Sequence, residues 1–371
     1  MFDRRLLRNF DWFLFFIVIL ICTIGLVNLF SASYQTGLSV FKKQSVWFVL
    51  GIVAAVFISF FDYKTLERYT NHMYVVSMLL LITVLIFGRE VSGSKSWISL
   101  GDHITLQPSE LAKIPIILAI AKFYQSDFEG GPYGIGDLVK PFFLLSLPLV
   151  LVMLQPDLGT SLMILLISGS LVVFMGVRFK SITILVILII GISYPTWHYF
   201  LKEYQKERIE TFLDPSRDPL GSGYNALQSE IGTGSGKFFG KGFKKGSQTQ
   251  LRFIPEQHTD FIFSVLAEEW GFIGGFLTLL LYFLLILWII DTASLAKDRF
   301  SMIVSLGIAA IFFWHVLINV GMVTGLLPVL GVPLPLLSYG GSSLLTAMLG
   351  VGIVLGIRMR KLPVTREEIA L

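Results

Sequence analysis

The chain has 371 residues, 54% of them hydrophobic and 15% charged, with a net charge of +4 and a mean hydropathy of +0.75. That composition excludes an ordinary soluble globule and places the chain among multi-span membrane proteins. The small positive balance, without a basic helix or a basic-aromatic motif, excludes nucleic acid as a partner. The single cysteine, Cys22, lies inside the first apolar run, so it forms no intrachain disulfide or Cys-based metal site and reads as a packing residue.

The N-terminus, MFDRRLLRNFDWFLFF, starts like a signal peptide, and Ser31-Ala32-Ser33 looks like a cleavage site. The apolar run from Phe13 to Phe30 is too long for a signal core, and the expectation is a retained first helix. A bilayer core of ~30 Å needs about 20 mostly apolar residues per crossing helix. On that measure ten spans are expected: 13–31, 45–61, 72–88, 108–123, 138–154, 158–176, 182–198, 261–290, 301–325 and 341–357. The fourth is the weakest, being short and carrying Glu110, Lys113 and Pro115. The predicted fold is an all-α polytopic membrane protein, one membrane domain over 1–371, with one long loop at 201–260.

Basic residues in the short loops set the orientation. Arg4, Arg5 and Arg8 fall on the same side as Lys64 and Arg68, Arg178 and Lys180, Lys297 and Arg299, and the C-terminal Arg358, Arg360, Lys361 and Arg366. The opposite short loops hold only Lys42, Lys43, Arg89 and Lys95. Both termini are then expected in the cytoplasm and the 201–260 loop outside. This arrangement brings every specific-looking polar motif to the outer face.

Taken in order, the first such motif is LQPSELAK (106–113). Glu110 and Lys113 are three apart and share a helix face, so they read either as a neutralised pair or as site residues. LQPDLGTS (154–161) sets Asp157 at the start of a helix, where an acid also suits the helix dipole. The stretch 232–253 is Gly-rich and basic, with Lys237, Lys241, Lys244, Lys245 and Arg252. It is neither a Walker A loop nor a Gly-x-Gly-x-x-Gly fingerprint. It suits a phosphate group or, equally, anionic lipid headgroups. His258 has no second His at ligand spacing, which argues against a zinc site.

The segment PEQHTDFIFSVLAEEWG (255–271) then enters an apolar run. On a helical projection Asp260, Ser264, Ala267, Gly271, Gly274 and Thr278 fall within about 40° of one direction. Small residues let helices approach closely in lipid, and an ionisable group heading such a stripe tends to face a cavity. Asp260 reads equally well as a plain helix cap. Glu268 lies roughly 80° off the stripe and Glu269 nearly opposite it, unless Gly271 bends the helix and changes the phase. Both glutamates read first as structural supports. His315 and Asn319, four apart in the ninth span, read as interhelical hydrogen-bonding groups.

Five ordered motifs together resemble the SEDS family (shape, elongation, division and sporulation): LQPSELAK, QPDLGTS, LDPSRDPLGSGYNALQSEIGTGSG, GKGFKKGSQTQLRFIPEQHTDFIFSVLAEEWGF and GMVTGLLPVLGVPLPLLSYGGSSLL. The resemblance runs through nearly the whole chain, and LPVLGVPLP is more similar to the elongation branch than to the division branch. Lys237 stands where the family loop carries a second glycine. The resemblance implies a ten-helix peptidoglycan glycosyltransferase that polymerises lipid II into β-1,4 glycan at the outer face of the cytoplasmic membrane. It implies a class B penicillin-binding protein as partner. The family's essential aspartate matches Asp260, which is then the expected general base. Trp97, Glu110, Lys113, Asp157, Arg208, Lys241, Arg252, Ser338 and Ser342 form the expected substrate-binding set, with Lys113, Arg208 and Arg252 as cations for the leaving pyrophosphate and Trp97 as a sugar platform. A divalent cation (Mg or Mn) is compatible with this chemistry, and no organic cofactor is implied. The competing readings are a lipid II flippase, a division-type polymerase, and a scaffold that only activates its partner.

Overall fold

A computed structural model describes residues 8–91, 94–100, 104–126, 132–200, 203–214, 218 and 221–360. Helices occupy each of the ten stretches expected to span: α1 (Trp12–Ala32), α2 (Ser39–Phe60), α3 (Tyr63–Phe87), α4 (Pro108–Ser126), α5 (Val139–Leu154), α6 (Leu158–Phe174), α7 (Phe179–Pro195), and, after the long connection, α11 (Ile262–Ser294), α12 (Arg299–Val323) and α13 (Gly341–Met359). The connection itself folds into α8 (Glu203–Leu213), α9 (Ser222–Ser235) and the short α10 (Ser247–Gln250). Among the described residues, 7 helices are long and apolar enough to cross a membrane: α1, α2, α3, α7 continued to Tyr199, α11, α12 and α13. The protein is a multi-pass membrane protein. Helices α5 and α6 are apolar but shorter.

Local sequence explains several helix starts. An aspartate precedes the apolar run of α1, α3, α6 and α12, and Asp11, Asp62, Asp157 and Asp298 each accept a hydrogen bond from a backbone N–H of the first turn. That satisfies donors a helix end leaves open and places negative charge at the positive end of the dipole.

Burial orders the bundle. In the most apolar window of α13, 78% of residues are buried, and in α12 67%, whereas α7 has 7% and lies at the periphery. The weakly apolar α4 packs against α3, α12 and α13, and most of its residues are enclosed. Its charges are therefore neutralised by protein groups, which is how ionisable side chains are accommodated at membrane depth. Cys22 is buried in the core, as its sequence setting suggests.

The all-α expectation needs one correction. Three short strands, β1 (Arg89–Val91), β2 (Ser94–Leu100) and β3 (Ile104–Leu106), form an antiparallel sheet between α3 and α4. Ser94 Oγ and Lys95 N both donate to Gln155 O, at 2.9 and 3.1 Å, fixing the sheet on the α5–α6 turn. A non-helical stretch must pair its backbone groups somewhere, and strands β1–β3 do so with each other and with Gln155.

Candidate functional site

Three of the motifs converge on one residue. Gln107, at the junction of β3 and α4, donates from its backbone N to Ser342 Oγ at 2.8 Å and from Nε2 to Asp157 Oδ2 at 2.8 Å. Asp157 caps α6 through Thr160 N at 3.0 Å, and its Oδ2 also accepts from Thr160 Oγ1 at 2.9 Å. Asp157 is thus both the N-terminal acid of α6 and a cross-link between two loops. The third loop is the start of α13, where Ser342 is buried.

Glu110 and Lys113 form the expected pair, at 2.5 Å, and both are buried. A third member was not expected in it. Lys113 Nζ is 3.0 Å from His315 Nε2, and His315 Nδ1 is 2.7 Å from Ile311 O. A carbonyl only accepts, so Nδ1 carries the proton, and the Nε2 lone pair receives the ammonium hydrogen. His315 is held as a neutral acceptor. Lys113 is enclosed by these two partners rather than presented at a surface.

Asp260 ends the long connection. Phe261 occupies the N-cap position of α11 and makes no side-chain cap hydrogen bond. Its backbone is fixed from α12: Asn319 Nδ2 donates to Asp260 O at 2.8 Å and to Val332 O at 2.7 Å. On the side-chain side lies Gly331, where an added Cβ would stand 3.4 Å from Asp260 Oδ2. Gly331 has φ +69, a conformation that favours glycine. The same 330–332 segment meets α6 at Gly159, where a Cβ would fall 2.6 Å from Leu330 O. Two residues before Asp260, His258 O accepts from Tyr339 N at 2.8 Å. Burial lowers the His258 pKa, with Arg252 adding to it and Glu256 opposing, and burial raises that of Tyr339.

The glutamates have a different role. Helix α11 breaks at Gly271 (φ 68, ψ −165), and residues 261–269 before the break are all buried. The basic Gly-rich loop runs into the break. Lys241 N and Gly242 N donate to Glu268 O and Glu269 O, both at 3.0 Å, and Phe272 N donates to Lys237 O at 2.9 Å. A Cβ on Gly236, Gly240 or Gly271 would collide with backbone across this seam. Glu268 accepts from Lys241 Nζ (2.7 Å), Gln248 N (2.9 Å), Thr249 N (3.0 Å) and Thr249 Oγ1 (2.8 Å). Glu269 Oε1 accepts from Ser31 Oγ at 2.6 Å, so the supposed cleavage motif is part of the core. Both carboxylates are buried among protein groups, and the awkward direction of Glu269 disappears because the segment before Gly271 is enclosed on every side. The phase changes at Gly271: Gly275 is buried, while Gly274 is only half-buried.

The remaining expected residues are dispersed. Lys241 is bound to Glu268 and Ser247 instead of standing free for phosphate. Arg252 is exposed and donates to Gln35 O at 2.9 Å. Ser338 Oγ accepts from Leu334 N at 2.8 Å and closes a turn. Trp97 is half-buried on β2. Arg208 lies in α8, and its side chain is outside the described residues. Among the described residues, no three His, Cys, Asp or Glu side chains converge. The residues that sequence reading undervalued are Gln107, His315 and Asn319. Their signal was a polar pair one turn apart in an apolar span, and a glutamine repeated in two motifs.

Comparison with known proteins shows the family. The cell cycle protein family FtsW/RodA/SpoVE matches residues 11–362. The peptidoglycan glycosyltransferase MrdB of Escherichia coli (strain K12) is 39% identical over 334 residues, covering 90% of this chain and 89% of its own. Among solved structures, a chain from work on the coordination of polymerization and crosslinking by a peptidoglycan synthase complex is 34% identical with a TM-score of 0.82, over 95% of this chain and 98% of that one. The Thermus thermophilus rod shape determining protein RodA is 30% identical with a TM-score of 0.72, over 95% and 98%. This chain belongs to the FtsW/RodA/SpoVE family.

Proposed function

We propose that the protein is a peptidoglycan glycosyltransferase of the elongation type, polymerising lipid II into β-1,4 glycan strands. The observation that carries this is the near full-length likeness to MrdB, an enzyme named for that activity. In this reading the chain crosses the cytoplasmic membrane ten times with both termini in the cytoplasm. The site around Asp260 opens at the outer face. A class B penicillin-binding protein works beside it, in keeping with the synthase complex among its structural relatives.

The chemistry follows from the substrate class. A sugar hydroxyl is a weak nucleophile at neutral pH, and a carboxylate within hydrogen-bond reach removes its proton as the bond forms. Asp260 takes the proton from the acceptor's GlcNAc 4-hydroxyl. The oxygen attacks the anomeric carbon of the donor's MurNAc, and the C–O bond to pyrophosphate breaks. The electron pair leaves with undecaprenyl pyrophosphate, and an α-linkage becomes β. Fixed positive charge stabilises that leaving group. Arg252, which is exposed, suits this role better than Lys113, which is enclosed by Glu110 and His315.

The test is the full-length protein with labelled lipid II and its partner, read by glycan length. Asp260→Asn keeps the shape and loses the base, so polymerisation should fall by about 10²–10⁴-fold. Full activity in that variant removes the assignment. Translocation of lipid II without polymer would support a flippase instead.

A further inference from the structure

Asn319 is buried in α12 and its side chain is oriented without ambiguity. Its Nδ2 faces two carbonyl oxygens, Asp260 O at 2.8 Å and Val332 O at 2.7 Å. Only the amino end of the amide can donate, so the reverse orientation would oppose oxygen to oxygen. Its Oδ1 is buried and receives no hydrogen bond. A buried acceptor without a partner is a cost that natural folds seldom carry without a reason.

The two carbonyls belong to separate segments. One is at Asp260 itself, and the other is on the 330–332 stretch, whose Gly331 faces the Asp260 carboxylate. The clamp therefore sets the carboxylate against the wall opposite it. One turn away on α12, His315 receives Lys113. A single rigid helix thus holds both the Asp260 backbone and the buried Glu110–Lys113 pair.

We propose that Asn319 is a positioning residue for the glycosyl transfer step, acting through its double hydrogen bond to Asp260 and Val332. This rests on Asp260 being the base. Neither carbonyl is a reacting group, and Asn319 itself takes no proton. It fixes where Asp260 stands, and a displacement of ~1 Å at such a group costs about 10²-fold in rate.

The experiment uses the full-length protein with its penicillin-binding partner and fluorescent lipid II. Asn319→Ala removes both bonds and Asn319→Ser keeps one donor, so the serine variant remains informative if the alanine variant does not fold. Ser305→Ala is the control: it removes a buried hydroxyl on the same helix that donates within α12, to Ser301 O. The expected result is a graded fall in kcat, about 100-fold for alanine and less for serine, with KM changed by less than about threefold. Ser305→Ala should keep wild-type kcat. Wild-type kcat in Asn319→Ala or Asn319→Ser, beside an inactive Asp260→Asn, overturns the positioning role alone. An active Asp260→Asn overturns the base assignment, and this proposal with it.

Discussion

Glu268 and Lys241 are 27 residues apart in sequence and 2.7 Å apart in space. The pair joins the first segment of α11 to the Gly-rich loop, and two backbone N–H groups at the start of α10 complete the carboxylate's shell. Removing the carboxylate with Glu268→Ala strands these donors and should lower stability by about 2–4 kcal/mol. Lys241→Met should cost less, because the N–H and hydroxyl donors remain. Thermal unfolding in detergent measures both, and equal losses would contradict this ranking.

Gly271 has φ 68 and ψ −165, a region essentially confined to glycine. Its missing Cβ also admits the backbone of Gly240. Gly271→Ala should destabilise by about 3 kcal/mol or more, the sum of strain and collision. A variant with an unchanged unfolding midpoint would show that the break tolerates a side chain.

Lys237 gives the opposite sign. It has φ +51, left-handed backbone where a Cβ is strained. Glycine is relieved of that strain at some entropic cost in the unfolded chain. Lys237→Gly should stabilise by about 0.5–1 kcal/mol, seen as a higher unfolding midpoint.

Lys113→Met leaves the Glu110 charge buried and uncompensated, at a cost of about 3–5 kcal/mol. Combining it with Glu110→Gln removes the charge as well. The double variant should recover much of the lost stability, giving a clear non-additive term in a double-mutant cycle.

His258 is half-buried, and burial lowers its pKa below the ordinary 6.5. The unfolded chain then binds the proton more readily than the folded one. The contribution of His258 is fully present above the unfolded pKa and is lost as pH falls from there toward the folded pKa. Stability should decline as pH falls below about 6.5, with a slope of at most ~1.4 kcal/mol per pH unit from this group. His258→Gln should flatten that part of the profile, measured by unfolding midpoint against pH.

The helices were legible because each is a local pattern: an apolar run, and before several of them an aspartate that caps the first turn. The Glu110–Lys113 pair was legible for the same reason, being three residues apart on one helix. The sheet at 89–106 was not, since strand pairing depends on partners rather than on a run of residues. Nor was the fate of the Gly-rich loop. Its lysines and glycines read as suited to phosphate or to lipid headgroups, whereas in the fold the glycines serve the close approach to a broken helix and Lys241 pairs with Glu268.

By itself, the sequence determined that this is a multi-span helical membrane protein, and its ordered motifs determined the family. It also brought Asp260 forward as either a helix cap or a base, and the family resemblance favoured the base. The tertiary structure alone decided what surrounds that residue. Asn319 and Gly331 come from the end of α12 and the loop after it, Gly159 from distant α6, and only packing brings them beside Asp260. Chain position fixes which residues share a turn. Which turns share a neighbourhood is set by burial and by the need of each polar group in an apolar medium to find a partner.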